Sequence, residues 1–570
     1  MKFKLFISSA LLCMALSLWA VPARRGVWRT IQLTDGTEVR AQLVGDEFRH
    51  YYVAEDGSKY VESDSTDLYC LLTESASSQI AQKSAARRSQ IRTRQVSRLR
   101  RAKAQENLFK GTKKGLVILV QFTDSKFQTG HNLELYKQIV NGDNYKGNSF
   151  QGSVKDYFKA QSQGVFQIDF DVVGICTLSH NCSYYGANDR SGNDLRPGAM
   201  VAEACEWAHN QGVDFSQYDW DGDGYVDEVF VLYAGLGEAD GGSKNTIWPH
   251  MSYLRASDYG QVLNLDGVAV DTYACSAELN YYRRLDGVGT FCHEFSHCMG
   301  LVDLYDTTYS GWYGMGDFDL MDSGNLNDDG RCPAGYSAFE KSMCGWINLT
   351  DMTDINGDTY VSGLKAVSEG GDAYIVKNKG HEDEFYIVEN RQKTNWDSAL
   401  PDAGVMITHV DYNKYVWAYN VPNSPDTYYD WDDNNKEYQN EHTRVAYFHA
   451  DNKKHNQYDD GHDGDLYGVE NNSSLTSTSK PAATLYNTNA DGTNYMHIDI
   501  TEMAIYPDST ASMKFSLREG SSLGVESVKL YNNNDIVGYY SIDGNRLSSP
   551  SYGINIVHYA NGEVKKVVMK

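Results

Sequence analysis

The sequence has 570 residues, enough for about three to four domains, and 41% of them are apolar, so sizeable cores can form. Its 41 tyrosines and 50 glycines against 10 prolines favour β-rich segments joined by turns. A net charge of −25 argues against a nucleic-acid partner, which needs a basic surface, and suits a soluble extracellular protein that holds cations.

Residues 1–20 read as a secretory signal: Lys2 and Lys4, then the apolar run "LFISSALLCMALSLWA", then small residues that allow cleavage after Ala20 or Ala23. Cys13 lies inside the apolar run without a small residue just before it, which disfavours a lipid anchor. No later segment has the apolar length of a membrane span. The expected location is therefore outside the cell or on its surface. Residues 21–106 read as a propeptide. Its first part is β-rich, with a hairpin turning at Asp35-Gly36 in "TIQLTDGTEVRAQLVGD". Between Lys83 and Lys114 follow twelve Lys or Arg and one acid, Glu106, the pattern of an exposed tether cut to release a propeptide. Cys70, in "DLYCLL", reads as a strand residue rather than a metal-blocking thiol. Eight further cysteines fall between Cys176 and Cys344, and their pairing cannot be read from sequence; some are expected as buried thiols.

Residues 107–348 change character. "GLVILVQF" is a buried-strand run, "VKDYFKAQSQGVFQIDFDVVG" a helix and a strand, "GAMVAEACEWAHNQG" a helix, and "YVDEVFVLYAG" a second buried strand. The alternation predicts an α/β (α+β) domain. Just before the second strand, "DWDGDGYVDE" offers Asp219, Asp221 and Asp223 on alternate positions, then the Tyr225 carbonyl and Asp227. This resembles the first half of a Ca2+ loop; position twelve is Phe230 rather than glutamate, so a complete EF-hand is not expected.

The stretch "FCHEFSHCMGLVDLYD" carries the chemistry. His293 and His297 are one helical turn apart, so both imidazoles leave the same face and can supply two nitrogens to Zn2+. Glu294 lies about 100° round the helix, placed to act on water as a base without ligating. Thr290 is expected to cap the helix, and Gly300 to end it in a left-handed turn that brings back Asp303 as the third ligand. These residues resemble the HExxHxxGxxD signature of the immune-inhibitor-A-like metalloproteases, the M6 peptidase family. "GMGDFDLMDSGN" resembles that family's Met-turn, and "EFYIVENRQKTNWDSALPDAGVMITHVD" the segment that follows its catalytic domain. The resemblance implies a metzincin-like fold, with zinc on His293, His297 and Asp303, Glu294 as general base, and Met321 beneath the metal. A tyrosine near the Met-turn, Tyr313 or Tyr336, is a conceivable oxyanion donor.

From residue 349 to 518 strand and turn signals dominate, predicting a β-rich accessory domain. "DINGD" reads as a hairpin turn, and His409 as structural. "DWDDNNKEYQNEH" and "NQYDDGHDGDLYG" read as solvated acidic loops with at most weak cation sites. Residues 524–570 form a small β tail after the linker "REGSSLG". They resemble the C-terminal sorting domains of Bacteroidetes type IX secretion, which would make secretion machinery a partner. The expected function is a secreted zinc endopeptidase made as a zymogen, acting on protein or peptide substrates. The alternative is a surface binding or adhesion protein with an inactive or secondary protease domain.

Overall fold

The apolar run that starts at Gly115 becomes a central strand of a six-stranded sheet, fully buried from Gly115 to Val120. The computed structural model describes residues 18–19, 21–63, 66, 68–80, 82, 108–189, 192–455, 461, 463–468, 472–520, 536–559 and 564–569. The expected export signal lies almost wholly outside these residues, as does the basic tether up to residue 107.

The N-terminal segment begins with the two-residue strand β1 (Leu18–Trp19). A five-stranded meander follows: β2 (Trp28–Gln32), β3 (Glu38–Gly45), β4 (His50–Ala54), β5 (Lys59–Glu62) and β6 (Tyr69–Leu71). The hairpin expected at Asp35-Gly36 joins β2 to β3, with Gln32 opposite Glu38. Cys70 sits half-buried on β6 opposite Val61, as a strand residue.

The central sheet uses β7 (Gly111–Gln121), β8 (Phe166–Thr177), β9 (Val229–Leu236), β10 (His250–Tyr253) and β13 (Thr272–Leu279); a separate hairpin is made by β11 (Leu263–Leu265) and β12 (Val268–Val270). Its order is β1-β10-β13-β9-β7-β8. The strands from β13 to β8 are parallel, whereas β10 is antiparallel to β13 and β1 is antiparallel to β10. The expected helices form at Val154–Gln161 and Pro197–Asn210. The tether ends sooner than its basic run suggests: Lys113 and Lys114 are already on β7, where Lys114 meets Asp171 at 3.2 Å.

After residue 349 two sheets pack face to face. One has five strands in the order β14-β16-β17-β18-β21: Leu349–Asp351, Ala373–Asn378, His381–Arg391, Gly404–Asp411 and Val445–Tyr447. The other has β15 (Thr359–Leu364), β22 (Ile498–Ile505) and β23 (Ala511–Leu517). β19 (Thr427–Asp430) and β20 (Lys436–Gln439) form an exposed hairpin that accounts for the first acidic stretch. "DINGD" is not a hairpin turn, because the strands it joins, β14 and β15, belong to different sheets.

Strand alternation decides how these sheets meet the rest. On β17 and β18, Tyr386, Val388, Val405 and Ile407 face the three-stranded sheet, while Ile387, Met406 and Val410 enter the same core as the helix Gly289–Met299. The expected accessory unit therefore shares a core with the catalytic one. The tail forms its own four-stranded sheet from β24 (Ile536–Ser541), β25 (Arg546–Leu547), β26 (Gly553–Tyr559) and β27 (Val564–Met569). The turn expected at Asn561-Gly562 lies outside the described residues. All nine described cysteines are free thiols.

Candidate metal centre and active-site cleft

The helix Gly289–Met299 is buried along its whole length. Phe291 stacks on Phe230 with ring centroids 3.6 Å apart, and Phe295, one turn on, meets Phe170 edge to face at 5.6 Å. The histidine pair is offset by two residues, about 200° round, so it leaves the opposite side. Thr290 does not cap the helix. It lies inside it, and the cap position is Val288, with no side-chain bond. The reason is a close approach: a Cβ at Gly289 would stand 1.8 Å from the Asn325 carbonyl oxygen, so the helix starts pressed against that segment. Gly300 does end the helix, with φ +103°, a conformation side chains resist. Its turn lets Leu301 accept from His297.

His293 Nδ1 and His297 Nδ1 each lie 2.9 Å from a backbone carbonyl, of Leu320 and Leu301 respectively. A carbonyl only accepts, so both Nδ1 atoms carry the proton and both Nε2 atoms of the neutral rings present lone pairs. Those two Nε2 atoms are 3.1 Å apart, and each is 3.2 Å from Asp303 Oδ1. Asp303 Oδ1 is buried and makes no hydrogen bond among the described residues. Burial pushes the His297 ring toward its neutral form. Burial alone would push the Asp303 carboxyl up; when the His297 and His293 rings carry a second proton, their charge outweighs burial and holds it well below the usual carboxylate range. Three electron-pair donors thus face one point. Zinc bonds of about 2.0–2.1 Å in a tetrahedron set ligands about 3.3 Å apart, so the donor set and spacing fit that ion.

Asp303 is oriented by a residue that sequence reading missed. Asn420 Nδ2 donates to Asp303 Oδ2, and Asn420 Oδ1 accepts from the Asp303 backbone N–H at 2.6 Å. Asn420 lies 117 positions along the chain, in a left-handed turn (φ +55°) after a short helix, and no sequence signal connects it to the site. Met321 is fully buried; its carbonyl accepts from Leu304 N at 2.8 Å, and its neighbour Leu320 supplies the His293 partner. The two tyrosines considered as oxyanion donors have other duties. The Tyr336 hydroxyl meets Ser296 Oγ, and the Tyr313 hydroxyl meets that of Tyr447 at 3.2 Å.

The N-terminal segment occupies the cleft beside the metal centre. β1 lies antiparallel on edge strand β10, with Leu18 opposite Ser252 and Trp19 opposite Met251. The Val21 N–H donates to Glu294 Oε1 at 2.8 Å, and Trp248 Nε1 donates to the Val21 carbonyl at 3.0 Å. Burial, then the charge of Asp303, pushes the Glu294 carboxyl up, against bonds from the backbones of Val21 and Met251. Glu47, also missed, is fully buried in the same field. Burial, then Asp46, Glu294 and Asp303, drives its carboxyl well up, and neither oxygen has a hydrogen-bond partner among the described residues.

In the acidic loop, Asp219, Asp221 and Asp227 come together, with one oxygen from each within 4.8 Å of the others. Asp223 does not join them. Its Oδ1 accepts from Tyr225 N at 2.9 Å, and Asp219 accepts from Gly222 and Gly224.

A buried His-His-Asp centre with a glutamate on the same helix, beside a sheet edge able to pair with extended chain, defines a metalloprotease site. The family model of the immune inhibitor A peptidase M6 catalytic domain matches residues 102–348, so this part of the chain is similar to an M6-type metalloprotease domain. The chain is 26% identical over 288 residues to immune inhibitor A of Bacillus thuringiensis subsp. alesti, covering 42% of this chain and 41% of that protein. It is also 26% identical over 286 residues to the pre-pro-metalloprotease PrtV of Vibrio cholerae serotype O1, covering 31% of that protein. The match thus spans less than half of each relative. No helix among the described residues is long and apolar enough to cross a membrane.

Proposed function

We propose that the chain is the precursor of a secreted zinc endopeptidase that cleaves proteins or peptides. One observation carries this reading: the two Nε2 atoms and Asp303 Oδ1 meet at 3.1–3.2 Å, with Glu294 next to the first ligand. Zinc, when bound, supplies Lewis-acid polarisation of a peptide carbonyl and acidifies water. Glu294 takes a proton from the attacking water and returns it to the departing amine. The carbonyl partners of His293 and His297 keep the proton on Nδ1 and turn each Nε2 toward the site. β10 offers its free backbone edge to an extended substrate once β1 has left. In processed protein, Glu294→Ala is expected to keep zinc by metal analysis while casein cleavage falls about 10²–10⁴-fold. Wild-type activity in that variant would refute the assignment.

The precursor reading rests on the occupied cleft. While Val21 donates to Glu294, the base is engaged and the edge of β10 is taken. Signal cleavage after Ala20 would remove β1 and free the β10 edge but leave Val21 on Glu294, whereas cleavage after Ala23 would remove Val21 as well. Protein starting at Val21 should therefore leave casein intact, and cutting in the basic tether should release an active enzyme starting near Asn107. N-terminal sequencing of active material checks this; full activity from chains that still begin at Val21 would refute latency.

Two further assignments belong to the same reading. Asp219, Asp221 and Asp227, with the Tyr225 carbonyl from the same loop and without Asp223, are assigned to calcium. Residues 524–570 are assigned a sorting role in export. No specific observation favours the adhesion alternative.

A further inference from the structure

A second cluster in the molecule repeats the geometry of the catalytic ligands, 150 or so positions further along the sequence. His449 Nδ1 and His455 Nε2 each lie 3.2 Å from Asp465 Oδ1. At the catalytic centre the two imidazole nitrogens each lie 3.2 Å from Asp303 Oδ1. The Asp465 side chain is fully buried, that of His455 nearly so, and the His449 side chain is 16% exposed. His449 Nδ1 is buried and makes no hydrogen bond among the described residues, although Asp465 Oδ1 is within 3.2 Å. The atoms therefore aim past one another at a common point, as ligands do, rather than along a donor-acceptor line.

The surroundings are built to hold that point. Tyr447 donates to the other Asp465 oxygen at 3.0 Å, and Ala450 N donates to the Asp465 backbone carbonyl at 2.8 Å. The Tyr313 ring packs on both imidazoles, with centroids 5.2 Å and 5.4 Å away, and its hydroxyl meets that of Tyr447. Tyr313 directly precedes the Gly314–Asn325 stretch that carries Leu320 and Met321, so the cluster sits where the β21 excursion meets the support of the catalytic centre.

We propose that His449, His455 and Asp465 bind a second divalent cation of the zinc class, which clamps the segment after β21 onto the Tyr313–Met321 segment. Two imidazoles and one carboxylate select zinc over calcium, which takes oxygen ligands almost throughout. The clamp is structural, and it is independent of the catalytic assignment.

The test uses the His297→Ala chain, in which the catalytic set has lost a ligand. After chelation and dialysis it is titrated with zinc, and bound metal and melting temperature are read. About one zinc per chain should bind, and its binding to the native state should raise the melting temperature. Adding Asp465→Asn should abolish both effects, while the metal-free melting temperatures of the two chains stay alike. His449→Gln in the same background serves if Asp465→Asn does not fold. Zinc uptake by the Asp465→Asn or His449→Gln chain equal to that of His297→Ala would overturn the proposal, as would the absence of tight zinc binding in His297→Ala itself.

Discussion

Asn420 holds Asp303 at two points, side chain and backbone, and so fixes which carboxylate oxygen is left for the metal. Partners of this kind set ligand orientation, and their loss weakens metal binding by about 10–100-fold. Asn420→Ala is expected to weaken zinc by that order in a competition titration with a chromophoric chelator. The imidazoles keep their own carbonyl partners in that variant, so a folded protein with unchanged zinc affinity would show that Asp303 needs no such support. Val21 illustrates the other residue-scale effect. An ordinary backbone N–H, invisible as a motif, reaches Glu294 because Trp248 holds the Val21 carbonyl and the chain before it runs along β10.

At the scale of elements, β17 and β18 carry a buried carboxylate that behaves unlike the one on the active-site helix. Glu384 accepts from His409 at 2.8 Å, from Tyr486 N at 2.6 Å, from Asn487 N at 3.0 Å and from Asn378 Nδ2 at 2.9 Å. Burial alone would raise its pKa, but His409 and these bonds outweigh it and bring the value down to about 2, from an ordinary 4.5. A depressed carboxylate contributes stability that is fully present above about pH 4.5 and is lost as pH falls toward 2. Denaturation followed from pH 6 to 2 should therefore show a steeper acid loss for wild type than for Glu384→Gln. Parallel curves would show that Glu384 does not carry this linkage. Glu294, with fewer bonds and Asp303 as an anionic neighbour, is shifted the other way.

Across the whole molecule, the join between the M6-like region and the sheets after residue 349 includes a buried polar network centred on Arg391. Arg391 is fully buried and bonds Asp397 through Nε at 3.1 Å and Nη2 at 2.9 Å, Glu389 at 3.3 Å, and the Gly335 carbonyl at 3.2 Å. Glu389 also accepts from Ala338 N at the start of the helix Ala338–Met343, and Asp397 accepts from Gly335 N at 2.8 Å. The network ties β17 to the segment after the Met-turn. Arg391→Met strands two buried carboxylates, and the expected cost is about 3–5 kcal/mol, read as a lower denaturant midpoint. Wild-type stability in this variant would mean that the carboxylates simply become protonated at little cost. Because the two regions share one core, unfolding should proceed in one transition across them.

The spacing of His293, His297, Gly300 and Asp303 was enough to anticipate that the two histidine side chains and the aspartate meet, because helix pitch and a left-handed stop are local properties of a few residues. Strand existence was likewise legible from apolar runs such as "GLVILVQF", and so was the β-rich character after residue 349. The helix cap was misplaced because Gly289 answers to Asn325, a non-local steric contact that overrides local capping preference. "DINGD" was misread because turn chemistry does not say which sheets its flanking strands will join. Asn420, Glu47, the Val21 plug and the His449-His455-Asp465 cluster were all hidden for one reason. Each depends on which distant segments the fold brings within about 3 Å, and hydrogen-bond and ligand geometry act only at that range. Composition and periodicity could specify the elements and the HExxH chemistry; only the packing of those elements decided what orients the third ligand and what covers the base.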